Sequence, residues 1–600
     1  MGIELLQQWL TTPIYSRRDL RVFTWLSLAV ACALIYSFMG LQQAFAHANV
    51  IHDDVRSHVF WMHRFLDPDL FPNDIIADYF QSVAPHGYTT LYRGATWLGI
   101  EPILFNKLLP LVLVLITTAY CFWLGMSIFP VPAAAFLATL LLNQTTWSTH
   151  DIPSGTPRAF FYPLFIGFLY YLGQRSLFPC LITIVLQGLF YPQCLFLSSG
   201  ILVLRLLRVN QGKWGRQNWR SRLQPSIQLS TDRRDYWFCG LGLAIAFVML
   251  LPYALKISDY GPVLSRAQGL TLPTLQNDGR KNFFFDDPLK FWFCGERSGM
   301  LPYNWCKYEE PPQLWATLWL LLMFAWAKRF PLLEKTTQNL AILPQIFIAS
   351  LGMFFMAHLL LFRLHLPSRY TKHSLRVMVA IAASIALICL LDAVLRWLRA
   401  TKFMPPGLQS IVAVGAVGLL TAYSFSHPIL MEEYPNPDYV DAQPPELYDF
   451  FAQQPKDIVI ASLSEVANNI PSLSKRSILT SSEISNPYHF GYYQVINQRT
   501  QDLFQAQYST NRKEVLEFIQ TYGVDFWLSD RGAFHPDYIA QNPWLRELEP
   551  FASEAQQDLR DNQRPILVRM IRRCSALETN QYVVLDTQCM QQILVPKPKT

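Results

Sequence analysis

Long apolar stretches alternate with short polar segments over the first two thirds of the chain. The first stretch, from Val22 to Phe45, is long enough to cross a hydrocarbon core of about 30 Å. Comparable stretches follow near 103–128, 130–145, 159–174, 178–206, 236–256, 313–327, 339–362, 374–395 and 407–426. Pro192 interrupts the stretch at 178–206 and removes a backbone donor, which predicts a helical hairpin or two short helices there. The pattern predicts a polytopic α-helical membrane protein with about eleven spans, the hairpin counted as two.

Beyond His427 the apolar runs shrink to strand length. Short runs predict strands at 457–461, 524–529 and 566–570. The helical period from Lys513 to Tyr522 predicts a helix between two of them. We therefore expect a transmembrane domain over residues 1–426 and a soluble α/β domain over residues 427–600, joined by a Pro-rich linker.

Positive charges orient the predicted spans. Arg17, Arg18 and Arg21 stand just before the first span, which by the positive-inside rule keeps the N-terminus in the cytoplasm. The basic segment from Arg205 to Arg234 falls on the same side, and it has no basic–aromatic pattern, so a nucleic-acid partner is not expected. An odd number of spans places the C-terminal domain outside. With 51% hydrophobic and 15% charged residues, the chain is expected in the plasma (inner) membrane as a multi-pass protein.

Cysteine placement fits this orientation. Cys294 and Cys306 form one close pair in sequence, and Cys574 and Cys589 form another. All four lie in segments assigned to the outside, where disulfides would imply an oxidising compartment. Their spacing is not that of a zinc site, so we expect no metal bound by cysteine.

The most informative polar motif follows the first span, where Asp53 and Asp54 stand between His52, Arg56 and His58. Ionisable groups at a membrane boundary are costly to hold away from bulk water, so such a cluster is a candidate functional site. The alternative is a solvated loop. A second acid, Asp151, follows His150 in the loop after the third span and precedes Arg158. An aspartate in such a loop also serves as a helix cap or turn residue, and that alternative stays open.

A third loop is basic although the scheme places it outside. The segment 363–376 contains Arg369, Lys372 and His373 and no acidic residue. Such a loop needs an anionic partner, and a lipid phosphate at the interface is the natural one, since arginine grips phosphate with two parallel hydrogen bonds. Attraction to ordinary anionic headgroups is the alternative.

These motifs in this order resemble the GT-C superfamily of membrane glycosyltransferases, which includes protein O-mannosyltransferases, aminoarabinose transferases of lipid A and the oligosaccharyltransferase catalytic subunit. The resemblance rests on Asp53-Asp54, His150-Asp151 and Pro367-Ser-Arg-Tyr370, together with the C-terminal outer domain. The chain departs from the oligosaccharyltransferase in lacking its Trp-Trp-Asp signature.

The resemblance implies inverting transfer of a sugar from a polyprenyl-phosphate or polyprenyl-pyrophosphate donor to a glycan, lipid or protein acceptor at the outer face of the membrane. Asp53 or Asp54 would be the general base, and Asp151 would position the acceptor or a divalent ion. Four residues would hold the donor phosphate: Arg369, Tyr370, Lys372 and His373. Supporting residues would be His52, Arg56, His58, His150 and Arg158. The need for a divalent cation, Mg²⁺ or Mn²⁺, stays open; Asp53 and Asp151 would be its ligands.

Three other classes remain alongside this reading. A polysaccharide polymerase or ligase would use the same lipid-linked donor without an obligatory acidic loop. A transporter predicts internal repeats and charges near the middle of the bilayer, and the sequence has neither. A non-enzymatic scaffold of envelope glycan assembly would leave the basic loop unexplained.

Overall fold

A computed structural model describes residues 2–209 and 227–595. The helices of the first part are α1 (Ile3–Leu10), α2 (Leu20–Ala44), α3 (Val55–His58), α4 (Ile75–Val83), α5 (His86–Trp97), α6 (Pro102–Ile128), α7 (Pro132–Trp147), α8 (Phe161–Gly173), α9 (Leu177–Phe190), α10 (Gln193–Arg205), α11 (Arg233–Leu255), α12 (Arg266–Thr271), α13 (Tyr303–Cys306), α14 (Ala316–Ala325), α15 (Ile342–Leu359), α16 (Arg369–Ala400) and α17 (Pro406–Leu430). Its strands are β1 (Val50–His52), β2 (Leu207–Val209) and β3 (Ile227–Leu229).

Within the described residues, six helices are long and apolar enough to cross a membrane. They are Leu20–Ala44, Pro102–Ile128, Arg233–Leu255, Gln338–Leu359, Arg369–Ala400 and Pro406–Leu430. The other predicted spans correspond to the shorter helices α7, α8, α9, α10 and α14. The chain is thus a polytopic helical membrane protein, and eleven crossings and their orientation stay a prediction. The break at Pro192 is confirmed, because α9 ends at Phe190 and α10 begins at Gln193.

The centre of the helical part is α16, which packs against α7, α14 and α15. It begins at Arg369, so most of the segment predicted as a basic loop is in fact helix. No helix-breaking residue follows Pro367, so the first two turns of α16 can form directly after it. Arg369, Lys372, His373 and Arg376 are spaced i, i+3, i+4 and i+7, which brings them to one face of the helix.

The loop after α2 is joined to the segment after α17 by a short two-stranded sheet. Strand β1 pairs antiparallel with β4 (Tyr439–Asp441), and His52 lies opposite Tyr439. This pairing brings the two ends of the helical part together at the end where the acidic motifs lie.

The C-terminal part folds around a five-stranded sheet in the order β6-β5-β7-β9-β8. The strands are β5 (Val459–Ser462), β6 (Ser477–Ile478), β7 (Phe526–Asp530), β8 (Ser575–Glu578) and β9 (Tyr582–Asp586). The helices are α18 (Pro445–Ala452), α19 (Ile470–Leu473), α20 (Phe490–Tyr508), α21 (Arg512–Tyr522), α22 (Pro536–Gln541), α23 (Pro543–Arg546), α24 (Phe551–Arg560), α25 (Ile566–Cys574) and α26 (Thr587–Leu594). β6, β5 and β7 are parallel, whereas β9 runs antiparallel to β7 and β8. The α/β composition agrees with the prediction, and a domain boundary at 426/427 stays a prediction.

One predicted strand is wrong. Residues 566–570 belong to α25, where Ile566, Leu567, Met570 and Cys574 are buried. That spacing is helical, and a five-residue apolar run could not distinguish it from a strand.

The predicted disulfides are present, Cys294 with Cys306 and Cys574 with Cys589. Of the predicted basic segment Arg205–Arg234, residues 210–226 lie outside the described residues.

Candidate active site

The two adjacent aspartates after α2 have different surroundings. Asp54 forms an ion pair with Arg158, which comes from the loop between α7 and α8. The Asp54 side chain is 20% exposed and that of Arg158 is 12% exposed. Asp53 pairs with Arg56 one helical turn away and is 41% exposed. Asp54 therefore belongs to the interior of the site, and Asp53 lies at its edge.

His52 binds the backbone of Asp54. Its Nδ1 accepts the backbone N–H of Asp54 at 3.0 Å, and its ring is buried. Burial lowers the pKa of His52 to about 3, so the ring is neutral at ordinary pH. For Asp54, burial raises the pKa, but the charge of Arg158 outweighs burial and the net pKa lies well below the usual range. Asp54 is thus a carboxylate under all physiological conditions.

Asp151 is a fully buried hub. Its carboxylate lies 3.3 Å from Nζ of Lys372, 3.1 Å from Nδ1 of His373 and 2.7 Å from Nη1 of Arg376. The hydroxyl of Tyr162 donates to it at 3.0 Å. Burial raises the pKa of Asp151, yet the charge of Lys372, the contact with His373 and the charge of Arg376 lower that pKa to well below its usual range. Lys372 and His373, predicted to hold a phosphate, contact Asp151 in this structure, and their binding of a phosphate stays a prediction.

Arg369 remains available at the start of α16. Its side chain is half-buried and makes no hydrogen bond or ion pair with the residues that the structure describes. Its charge acts on Glu296, which pairs with Arg297 at 3.4 Å. Burial raises the pKa of Glu296, but the charges of Arg297, Lys372 and Arg369 lower it to below its usual value. The neighbouring Tyr370 is buried, and its hydroxyl donates to the carbonyl oxygen of Leu364, so it supports the helix start.

Two supporting histidines surround the acids. Nδ1 of His150 lies 2.6 Å from Oδ2 of Asp438, a residue just before β4. Burial lowers the pKa of His58, while the charge of Asp54 opposes this effect. The positive charges of Arg158 and Arg369 also lower the pKa of His58.

Three acids that the sequence did not reveal pair with basic side chains: Glu483 and Asp438 come from the C-terminal part, and Glu310 comes from the segment between α13 and α14. Glu483 lies between three cations, 3.8 Å from Arg56, 3.8 Å from Arg280 and 4.0 Å from Lys281. Asp438 pairs with His150, and Glu310 pairs with Arg376 at 2.8 Å. None of these acids lies in a motif, and their partners are distant in sequence.

The acidic residues do not fit the predicted divalent ion. A metal ligand needs a carboxylate lone pair that faces the ion, and Asp151 already has three basic groups within 3.3 Å. Asp53 is paired with Arg56. Within the described ranges, no group of three or more His, Cys, Asp or Glu residues could hold a metal ion.

Comparison with known proteins identifies the fold. No known family model matches the chain, and no curated protein sequence matches it. The apo oligosaccharyltransferase of Archaeoglobus fulgidus superposes with a TM-score of 0.53 at 10% identity, over 89% of this chain and 72% of that one. AglB from the same organism, in complex with an inhibitory peptide and a dolichol-phosphate, gives 0.53 at 11% identity over 90% and 73%.

A third similar structure is ArnT from Cupriavidus metallidurans bound to undecaprenyl phosphate, with a TM-score of 0.41 at 13% identity over 94% of this chain and 98% of that one. The two archaeal structures show the fold: this chain is folded like an oligosaccharyltransferase, which is the GT-C fold that its motifs predicted.

Proposed function

We propose that this protein is an inverting glycosyltransferase that moves a sugar from a polyprenyl-phosphate-linked donor to a glycan, lipid or protein acceptor at the outer face of the plasma membrane. One observation carries the proposal. In a GT-C fold, the carboxylate of Asp54 pairs with Arg158, and the charge of Arg369, an arginine without a hydrogen-bond or ion-pair partner among the described residues, lowers the pKa of His58, as the charge of Arg158 does. Sugar transfer from a phosphate needs such a pair, a base for the acceptor and a cation for the leaving group.

Asp54 is the proposed base. It is ionised and partly accessible, and it lies between His52 and Arg158, which fix its orientation. The acceptor's hydroxyl would donate to it, so that the oxygen can attack the anomeric carbon from the face opposite the phosphate. Asp53 is the less suitable candidate, because it lies at the edge of the site beside Arg56.

Arg369 is the proposed phosphate ligand. Its guanidinium can offer two parallel hydrogen bonds to a phosphate, and no carboxylate within ion-pair distance competes for it among the described residues. Lys372 and His373 contribute indirectly, since they hold Asp151 and thereby tie the loop between α7 and α8 to α16. AglB, whose fold this chain shares, is seen with a dolichol-phosphate, which supports a lipid-linked donor.

The outer-face assignment follows from charge. Arg17, Arg18 and Arg21 favour a cytoplasmic N-terminus. Asp54 follows α2 at the opposite end of that helix, so the positive-inside rule supports a site on the outside. The disulfides Cys294–Cys306 and Cys574–Cys589 support an oxidising compartment for the same side.

A genetic experiment tests the function. In a strain that lacks the protein, mass spectrometry of extracted lipids should reveal one polyprenyl-linked sugar that accumulates, and surface glycans, glycolipids or glycoproteins should lack that sugar. Wild-type protein and Asp441→Asn, a change in an exposed pair with His47, should restore both. Asp54→Asn should restore neither. An unchanged lipid-linked sugar pool in the deletion strain would contradict the proposal.

A further inference from the structure

A cleft separate from the candidate active site opens at the other end of α8. Arg158 precedes this thirteen-residue helix and Arg175 follows it, so the length of the helix, about 20 Å, lies between them. Three arginines line the cleft: Arg175 after α8, Arg205 at the end of α10 and Arg234 at the start of α11. Three helices thus contribute one basic residue each to the same cavity.

The cleft has room for a small polar group beside an apolar surface. Its volume is about 180 Å³. A water molecule takes about 30 Å³ in the liquid, so the cleft has the room of about six waters, which suits a phosphate but not a long hydrocarbon chain. Leu172, Phe238 and Cys239 form the apolar part of its lining. The lining therefore fits a phosphate that carries an apolar neighbour.

Positive charge exceeds negative charge around the cleft. Asp232 and Asp235 lie 3.6 and 3.4 Å from the guanidinium of Arg175. Both distances exceed the length of a charge-assisted hydrogen bond, about 2.7–2.9 Å. With the adjacent, exposed Arg233, four arginines stand against these two aspartates, which leaves a formal charge of +2. The side chain of Arg234 makes no hydrogen bond or ion pair with the residues that the structure describes, so it is available to an anion.

A hydrogen bond relates the cleft to the charges that orient the protein. Arg17, which precedes α2, donates to the hydroxyl of Tyr170 in the last turn of α8 at 3.0 Å. The end of α8 that carries the cleft is therefore the end at which α2 begins. The positive-inside rule favours the cytoplasm for that end of α2. In the proposed orientation the cleft thus opens at the cytoplasmic surface of the membrane.

The outer face of α11 extends from the cleft towards the middle of the membrane. Arg234, Trp237, Leu241 and Val248 are spaced by three, four and seven residues, which brings them to one face of the helix. The three apolar side chains are exposed, Trp237 to 80%. Because α11 is long and apolar enough to cross a membrane, this face contacts lipid. Tryptophan near the end of a span lies at the depth of the headgroups, so Arg234, one turn further out, lies at the depth of the lipid phosphates.

We propose that this cleft binds the phosphate of an anionic phospholipid from the cytoplasmic leaflet. Arg234 and Arg175 donate to the phosphate, and an acyl chain lies along Trp237 and Leu241. Basic pockets between membrane-spanning helices on the cytoplasmic side hold anionic headgroups in this way. A free phosphate would use the arginines but leave the apolar face of α11 without a role. Lipid binding here does not depend on sugar transfer at the other end of α8.

Native mass spectrometry of the full chain tests the site. The purified protein is exchanged into mixtures of phosphatidylglycerol and phosphatidylcholine, and the lipids that stay bound are identified as the collision energy rises. Wild-type protein should retain one phosphatidylglycerol after phosphatidylcholine has been lost. Arg234→Gln should lower the apparent affinity for phosphatidylglycerol by about tenfold or more, the usual effect of a lost charge-assisted hydrogen bond. Arg175→Gln should repeat this loss.

Arg233→Gln is the matched control. It removes the same charge from the neighbouring position, but Arg233 is exposed and lies outside the lining described above, so this variant should bind phosphatidylglycerol like wild type. Arg234→Lys keeps the charge and loses the two parallel hydrogen bonds, so it should weaken binding. Equal losses in Arg233→Gln and Arg234→Gln would show that lipid responds only to summed charge and would overturn the proposal. Equal retention of the two lipids by wild-type protein would overturn it as well.

Thermal unfolding in detergent separates a lipid from a free phosphate. A ligand that binds only the folded chain raises the melting temperature. Phosphatidylglycerol should raise it for wild type and Arg233→Gln and raise it less for Arg234→Gln, whereas excess inorganic phosphate should have no such effect. Stabilisation by inorganic phosphate alone, with no further rise on addition of phosphatidylglycerol, would overturn the proposal in favour of a free anion. Without lipid, the three proteins should melt at the same temperature, because Arg233 and Arg234 are both exposed.

Discussion

Asp54 and Arg158, 104 residues apart in sequence, form an ion pair between the loop after α2 and the loop before α8. This pair distinguishes the two adjacent aspartates, because Asp53 pairs locally with Arg56 and remains more exposed. We base the proposed choice of Asp54 as the catalytic base on this difference between the two ion pairs.

Substitution of the two aspartates separates their roles. Asp54→Asn should lower sugar transfer by at least roughly 10²-fold, the usual scale for a lost base. Asp53→Asn should lower it by less than about tenfold, because an exposed ion pair contributes at most about 1 kcal/mol. Transfer rates of purified proteins with matched expression check this. Equal losses in both variants would contradict the assignment.

Arg369 should not tolerate lysine. Arg369→Lys keeps the charge but cannot form two parallel hydrogen bonds, so it should impair transfer nearly as much as Arg369→Ala, by about 1.5–3 kcal/mol in transition-state stabilisation. The matched control is Arg363→Lys, which changes an exposed arginine six positions earlier in the chain. Rates of transfer across donor concentrations provide the measurement. A fully active Arg369→Lys protein would show that this residue provides only charge.

Asp151 should matter for stability as well as activity. Asp151→Asn leaves Lys372 and Arg376 buried beside an uncharged amide, and loss of one partner of a buried ion pair costs about 3–5 kcal/mol. Thermal unfolding in detergent should therefore shift to clearly lower temperature. Asp78→Asn is the control, since Asp78 is 46% exposed in its pair with Arg64. Similar melting temperatures for both variants would argue against a contribution of Asp151 to the stability of the fold.

Acid should weaken the fold through buried histidines. Burial lowers the pKa of His52 from 6.5 to about 3, so between these values the unfolded chain binds a proton that the folded chain does not. Stability should fall as the pH drops from 6.5 towards 3, as measured by thermal melts across that range. His52→Gln should reduce this slope relative to His47→Gln, which changes an exposed ring. Parallel slopes in the two variants would contradict this role of His52.

The proposed orientation is open to a direct test. A membrane-impermeant thiol reagent applied from the outside should label Cys574 and Cys589 only after reduction, because the two form a disulfide. Labelling that also requires disruption of the membrane would place the C-terminal part on the cytoplasmic side. The site would then face the cytoplasm too.

The sequence was sufficient for the helices and for the residues within motifs. Hydropathy alone located α2, α6, α15, α16 and α17, because a helix in lipid must be almost uniformly apolar. The break between α9 and α10 was equally visible, since Pro192 has a fixed local effect. The start of α16 was missed, because polar residues on a buried helical face resemble a loop when only hydropathy is considered.

The partners of the motif residues could not be predicted. Glu310 meets Arg376 across 66 residues, and Asp438 meets His150 only because β4 pairs with β1. Such contacts are set by tertiary packing, and a single sequence has no local signal for them. For the same reason the sequence could not show that the ammonium group of Lys372 lies 3.3 Å from Asp151.

The pairing of β1 with β4 also bears on how the protein is made. Val50 lies opposite Asp441, so the contact joins the segment that follows the first long helix to the one that follows the last. Synthesis proceeds from the N-terminus, so the loop that carries Asp54 is made early. Almost four hundred further residues are added before β4, the partner strand of β1, has been synthesised. A ribosome-bound or truncated chain that ends before β4 can therefore have its helices inserted and still lack Asp438 beside His150. We conclude that maturation of the site is a late event of biogenesis, completed only after the last long helix has entered the membrane.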